Sequence, residues 1–190
     1  MAVRNNEDRR VRKTKKQLRT ALTSLLLKKD LEHITVRDVA ELADVNRGTF
    51  YAHYRDVEGL LTSLEEELYA ALAALGEKYK DRVSNEDAFA YLTELFELAG
   101  ENADLIYALR STTVDMDFQH RLNAELERQY LLPLLQAHIG GETEPGLALS
   151  YVTAGLVAVA LKWIEGGKKE STETMARLCG NIITRGVGAV

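Results

Sequence analysis

Leu18, Leu22, Leu25 and Leu26 repeat at the i, i+4, i+7, i+8 spacing of a helix with one buried face. That stripe predicts a first helix over residues 11–28, with the polar stretch 1–10 frayed ahead of it. The pattern then shortens. In "ITVRDVAELADV", Thr35 is an N-cap with Asp38 as its capping-box partner, and Val36, Val39, Ala40 and Ala43 form one apolar face. This helix ends near Ala43, residues 44–46 read as a tight turn, and Asn46 caps a second short helix over 47–54. Asp56 opens a longer helix with Leu60, Leu61, Leu64, Leu68, Ala71, Leu72 and Leu75 on its apolar side.

Helical periodicity continues over 87–99, 101–111 and 118–139, where Pro133 is a candidate kink, and again over 172–186. Residues 140–146, "GGETEPG", are the clearest loop. Residues 146–164 are apolar almost all round and about long enough to span a bilayer. They nevertheless carry Ser150, Tyr151, Thr153 and Lys162, and no second such segment exists. The better reading is a helix buried on all sides, which in a chain this small often means burial against a partner subunit. With no alternating strand pattern and no repeat, the expected architecture is all-α with about nine helices. A helix-turn-helix head occupies 1–55 and a larger body 56–190.

Composition alters this picture in one respect. Overall charge is −5, from 24 Lys and Arg against 29 Asp and Glu, which by itself disfavours nucleic acid. The first 60 residues, however, hold 13 basic and 9 acidic side chains, and the rest 11 and 20. A basic head on an acidic body is a cue for a nucleic-acid or anionic-surface partner, against the plainer reading of a solvated basic tail. The single cysteine, Cys179, excludes an internal disulfide framework and fits a reducing cytosol. The N-terminus has no apolar signal-like core, so a cytoplasmic location is expected.

The stretch "VNRGTFYAHYRD" (45–56) concentrates hydrogen-bonding side chains on what would be the second helix of a helix-turn-helix. Val45 and Phe50 would anchor that helix, and Ala40 would permit close crossing by the first. Arg47, Gly48, Thr49, Tyr51 and His53 are left on or near the free face. A merely solvated helix would carry Lys and Glu there. Instead no acid occurs between Asn46 and Arg55. Duplex DNA repels carboxylates and rewards N–H and O–H donors.

Residues 34–61, "ITVRDVAELADVNRGTFYAHYRDVEGLL", resemble the DNA-binding motif of TetR family transcriptional regulators. Residues 161–178 resemble, more weakly, the tail of one subgroup. The resemblance implies a DNA-contact set of Thr35, Arg37, Asn46, Arg47, Gly48, Thr49, Tyr51, His53 and Tyr54. Thr35, Tyr51 and His53 would meet phosphates; Asn46, Arg47 and Thr49 would face base edges; Tyr54 would mostly pack. Two positions depart from the family pattern. Asp44 stands where glycine is frequent in the turn, and Val57 where a phosphate-reaching lysine is frequent. Arg55 or the basic residues 9–19 are the replacements at hand for that contact.

The family further implies a homodimer through helices 146–164 and 172–186, a palindromic double-stranded operator, and a small-molecule effector that releases a repressor. Pocket candidates are Tyr91, Phe96, Tyr107, Arg110, Met116, Phe118 and Trp163, each of which also reads as ordinary core. An adaptor or coactivator of the same fold, acting through protein contacts, is the alternative. No catalytic constellation is present, so neither an enzyme nor a cofactor is expected. The four histidines lie too far apart for a metal site, Glu65–Glu66–Glu67 reads as a solvated charge run, and Cys179 as core.

Overall fold

A computed structural model describes residues 2–82, 84–110, 115–127, 131 and 145–185, with the side chains of 2–8, 110, 115–117, 145 and 185 left aside. Among the described residues there are nine α-helices, one 3₁₀ turn and no strand. The helices are α1 (Ala2–Leu26), α2 (Val36–Leu42), α3 (Arg47–Tyr51), α4 (Val57–Tyr79), α5 (Asn85–Glu101), α6 (Ala103–Arg110), α7 (Asp115–Leu126), α8 (Pro145–Glu165) and α9 (Thr172–Arg185). The 3₁₀ turn, Leu31–His33, precedes α2.

The chain forms two compact units, Met1–Glu67 with Ala108–Asp115, and Leu68–Tyr107 with Met116–Val190. The core of the first unit is built where apolar faces converge. Leu18 and Leu22 of α1, Val39 of α2, Phe50 of α3 and Leu60 of α4 are all fully buried. α1 does not begin near Val11 as its stripe suggests but runs from Ala2. Arg, Lys and Glu are good helix formers, so a helix nucleated by packing farther along extends backward through them.

α2 has the expected capping box. The Asp38 amide donates to Thr35 Oγ1 at 3.2 Å, and the Thr35 amide to Asp38 Oδ2 at 3.0 Å. Its exit is a Schellman turn: the Val45 amide donates to the Ala40 carbonyl and the Asp44 amide to that of Glu41. This closure places Asp44 at φ 53°, the left-handed conformation that glycine adopts without strain. α3 then spans only Arg47–Tyr51, shorter than the expected 47–54. The chain must turn again before Asp56, whose Oδ1 accepts from the Gly59 amide at 2.7 Å and caps α4.

In the second unit α9 lies along α5, and α8 also meets α5. Trp163 of α8 sets its ring edge-on to Phe96, with centroids 5.6 Å apart, and donates from Nε1 to the Glu170 carbonyl at 3.0 Å. Gly100 makes that approach feasible, because a Cβ there would lie 3.2 Å from the indole. Tyr69 packs against Phe118, and the Arg121 guanidinium sits 4.3 Å above the Tyr69 ring. Pro145, expected in a loop, opens α8 instead; proline suits the first helical position because its missing N–H would have been unpaired there. Pro133 and half of the 118–139 prediction lie outside the described residues.

α8 is only partly covered by its own chain. It is the one described helix long and apolar enough to cross a membrane by length and composition, yet only 33% of that window is buried within the chain. Leu149, Thr153, Leu156, Val157 and Trp163 face inward. Leu147, Tyr151, Ala154, Gly155, Ala158 and Lys162 form the opposite, exposed row, with Leu147 at 70% and Tyr151 at 71% exposure.

Candidate nucleic-acid interface

The reading surface is assembled from the bottom by α3. Phe50, fully buried, holds the helix to the core, an anchoring worth about 1.5–3 kcal/mol by area removed from water. Its ring meets Tyr51 edge-on with centroids 5.8 Å apart, which steadies an exposed tyrosine from beneath. The outer row is then Asn46, Arg47, Gly48 and Tyr51, all exposed, with Thr49 and His53 half-buried beside them. Tyr54 is buried against Phe50, and burial first of all raises its hydroxyl's pKa.

Each group keeps a defined bonding capacity. Asn46 Oδ1 accepts from the Gly48 amide at 2.8 Å, so the side-chain amide N–H groups remain for outside acceptors. The Thr35 oxygen is occupied as a cap acceptor, and its hydroxyl also bonds the Asp38 carboxylate. Arg47 stands in no ion pair among the described residues. A Cβ at Gly48 would find only Asn46 Oδ1, at an ordinary 3.4 Å, so the chain's own packing gives no reason for glycine there.

Two carboxylates of α2 are paired with cations. Lys29 Nζ lies 2.8 Å from Asp38 Oδ2, and that ammonium, with the Thr35 cap, holds the Asp38 carboxyl far below the usual range. Arg37 pairs with Glu41 at 2.9 Å, so Arg37 is exposed but already compensated. The Lys29–Asp38 pair was not legible in the sequence, because its partners lie nine residues apart across the Leu31–His33 turn. Val57 is buried at 7% exposure, so the position where the family often has lysine is a core position in this chain. Arg55, with its side chain 95% exposed, stands near Asp56 at 3.6 Å.

Five of the seven predicted pocket residues have described side chains. Tyr91, Phe96, Phe118 and Trp163 are core, Tyr107 is 41% exposed, and the side chains of Arg110 and Met116 lie outside the described residues. The second unit does contain an open groove of about 780 Å³ between α4 and α5. Ala71, Leu75 and Phe89 form its apolar floor, and Glu94, Glu97 and Glu101 its acidic rim. None of the predicted pocket residues lines it. For metals, Asp30, Glu32 and His33 bring ligand atoms within 4.8 Å of one another, all exposed; reading the histidines only against each other overlooked them.

Comparison with known proteins agrees with this geometry. Residues 18–64 match the family model "Bacterial regulatory proteins, tetR family", and residues 86–185 match "Transcriptional regulator C-terminal region". The uncharacterized HTH-type transcriptional regulator YxbF of Bacillus subtilis (strain 168) is 26% identical over 181 residues. That alignment covers 90% of this chain, which spans 44% of the relative's length. Among solved structures, a TetR transcriptional regulator from Streptococcus agalactiae 2603V superposes with TM-score 0.63 at 29% identity, covering 94% of this chain and 98% of that one. FadR of Bacillus subtilis, solved with stearoyl-CoA, shares the fold at 17% identity and TM-score 0.65, covering 90% and 98%. With its helix-turn-helix head and its C-terminal region both matched, the chain belongs to the TetR family of transcriptional regulators.

Proposed function

We propose that the protein is a homodimeric repressor that binds a palindromic operator through α3 and releases it when a small molecule binds the body, acting in the cytoplasm. The observation that carries this reading is the outer row of α3. It presents Asn46, Arg47, Gly48, Thr49, Tyr51 and His53 with no carboxylate among them, on a helix whose anchor is buried. Arg47 supplies a two-pronged donor for guanine O6 and N7; Tyr51 and His53 donate to phosphates on either side; Thr35 adds a contact from the start of α2.

Two copies are needed. A five-residue helix reads too few bases for specificity, and helix-turn-helix proteins gain it by placing two recognition helices about 34 Å apart on one side of the duplex. The exposed row of α8 supports a self-complementary interface, because small residues at Ala154, Gly155 and Ala158 let a second α8 approach closely. Release follows if an effector binds more tightly to the body conformation that misplaces the two heads, and only by that difference in affinity. The stearoyl-CoA complex of FadR supports an effector on this fold without indicating which one.

The test is a footprint of the purified protein on the DNA flanking its own gene, repeated with Arg47→Ala, Tyr51→Ala. Protection of a short near-palindrome that the double variant fails to protect is the expected result. Binding to random duplex as tight as to the flanking DNA defeats the reading.

A further inference from the structure

Some described cations of the first unit are paired and others are not. Lys29, Arg37, Arg55 and Arg19 each lie within 4.0 Å of a carboxylate, on Asp38, Glu41, Asp56 and Glu67 respectively. Arg9, Arg10, Arg12, Lys13, Lys15 and Lys16 of α1 are all exposed, and none of them stands in an ion pair among the described residues. No Asp or Glu occurs in the sequence from Arg9 to Lys29.

Helical geometry sorts these six. Arg9, Arg12, Lys13 and Lys16 are spaced i, i+3, i+4, i+7, so they stack on one face, opposite the buried face of Leu18 and Leu22. Like charges at i+3 and i+4 cost a helix roughly 0.2–0.5 kcal/mol per pair, and a solvated face would normally alternate sign to avoid this. From Arg9 to Lys16 every charge is positive, so neighbours within the row repel one another. It is also part of a formed helix, since α1 begins at Ala2, so binding would not have to order the backbone.

The row is tied to the reading head. Gln17, next to Lys16, donates from Nε2 to the Ala43 carbonyl at 3.3 Å, at the exit of α2 just before the Asp44 turn. From that fixed point the row runs about 10.5 Å along the α1 axis, at about 1.5 Å per residue. One DNA strand presents a phosphate about every 3.4 Å of its axis, so the row matches about three.

We propose that Arg9, Arg12, Lys13 and Lys16 form a second, sequence-independent phosphate-binding surface, which holds the backbone of the duplex that α3 reads. The inference rests on the regulator reading for the identity of the polyanion. It supplies the anchoring charge that the head lacks where Val57 is buried, and it accounts for a basic α1 in an acidic protein. α3 discriminates between sequences; the α1 row adds affinity to all of them.

The test compares wild type with Arg9→Gln, Arg12→Gln, Lys13→Gln, Lys16→Gln by fluorescence anisotropy. Operator and random duplexes of equal length are titrated across about 50–200 mM salt. The expected result is a loss of about 10- to 100-fold on both duplexes, with the operator-to-random ratio kept. The salt slope should become shallower by about 0.9 for each phosphate contact removed. Arg9→Lys, Arg12→Lys, Lys13→Arg, Lys16→Arg should restore the wild-type slope, which separates charge from folding. Lys80→Gln, Lys169→Gln should leave it unchanged, which separates local contact from net charge. A glutamine variant with wild-type affinity and slope overturns the proposal. So does one that loses only binding to phosphatidylserine-rich vesicles, since the row would then serve a lipid surface. If the wild type itself shows no operator preference, the regulator reading fails, and the slope on random duplex still decides the row.

Discussion

Two helices of this protein present a row of side chains to solvent, and the rows are opposites. The outer row of α3 is polar, donor-rich and without a carboxylate, over a single buried anchor, Phe50. The outer row of α8 is apolar, with Leu147 and Tyr151 more than two-thirds exposed and small residues between them. Each row is costly or wasteful facing water, for different reasons. Exposed apolar area on α8 forgoes hydrophobic burial, about 25 cal/mol per Å². Uncompensated donors on α3 forgo charge-assisted bonds. The lesson is that chemistry left unused by the chain is what the two proposed partners would use: a polyanion in one case, a second copy of the same surface in the other.

The comparison can be broken at its foundations first. Phe50→Ala should destabilise the protein by about 3–5 kcal/mol in denaturant unfolding and abolish operator binding, because α3 loses its anchor. Leu147→Asp, Tyr151→Asp should convert the proposed dimer to a folded monomer in analytical ultracentrifugation. It should weaken operator binding by about 100-fold or more, since linked sites gain that order from effective concentration. A variant that stays dimeric would remove α8 from the interface.

Arg47→Ala should cost about 1–3 kcal/mol on the operator, leave binding to random duplex nearly unchanged, and not shift the melting temperature. A uniform loss on both duplexes would make Arg47 a phosphate contact rather than a reader. Asp44→Gly should stabilise the protein by about 1 kcal/mol or less, since glycine adopts the left-handed turn without the steric cost that aspartate bears. A destabilised variant in thermal unfolding would show that the turn needs the side chain.

The smallest effect concerns acid. Lys29 and the Thr35 cap hold the Asp38 carboxyl below its unfolded value. Its contribution is therefore present above the unfolded pKa of about 4 and lost as pH falls toward the folded one. Asp38→Asn should lower the melting temperature modestly at neutral pH and flatten its fall below about pH 4, the two proteins converging in acid; an unaltered acid limb would show that the pair adds nothing.

Much of the head was legible from residues alone because its signals are local. Thr35 with Asp38, Asn46 with Gly48 and Asp56 with Gly59 are caps, each closed within three residues. The length of α3 was overestimated because aromatic and polar residues continue past Tyr51, while the end of the helix is set by the need to turn toward the Asp56 cap. The true start of α1 was missed because a polar helix has no hydrophobic period, and its extension depends on a nucleus packed farther along.

By itself, the sequence determined the all-helical class, the caps and turn of the reading head, and which side chains α3 had to spare, since all of these follow from period, propensity and bonds to near neighbours. Only the tertiary structure decided that Lys29 would neutralise Asp38, that Val57 would be core, and that α8 would keep one apolar face bare. Those outcomes depend on which surfaces meet across long sequence separations. A one-dimensional pattern can show that a helix is apolar all round, but not how much of that surface its own chain will cover.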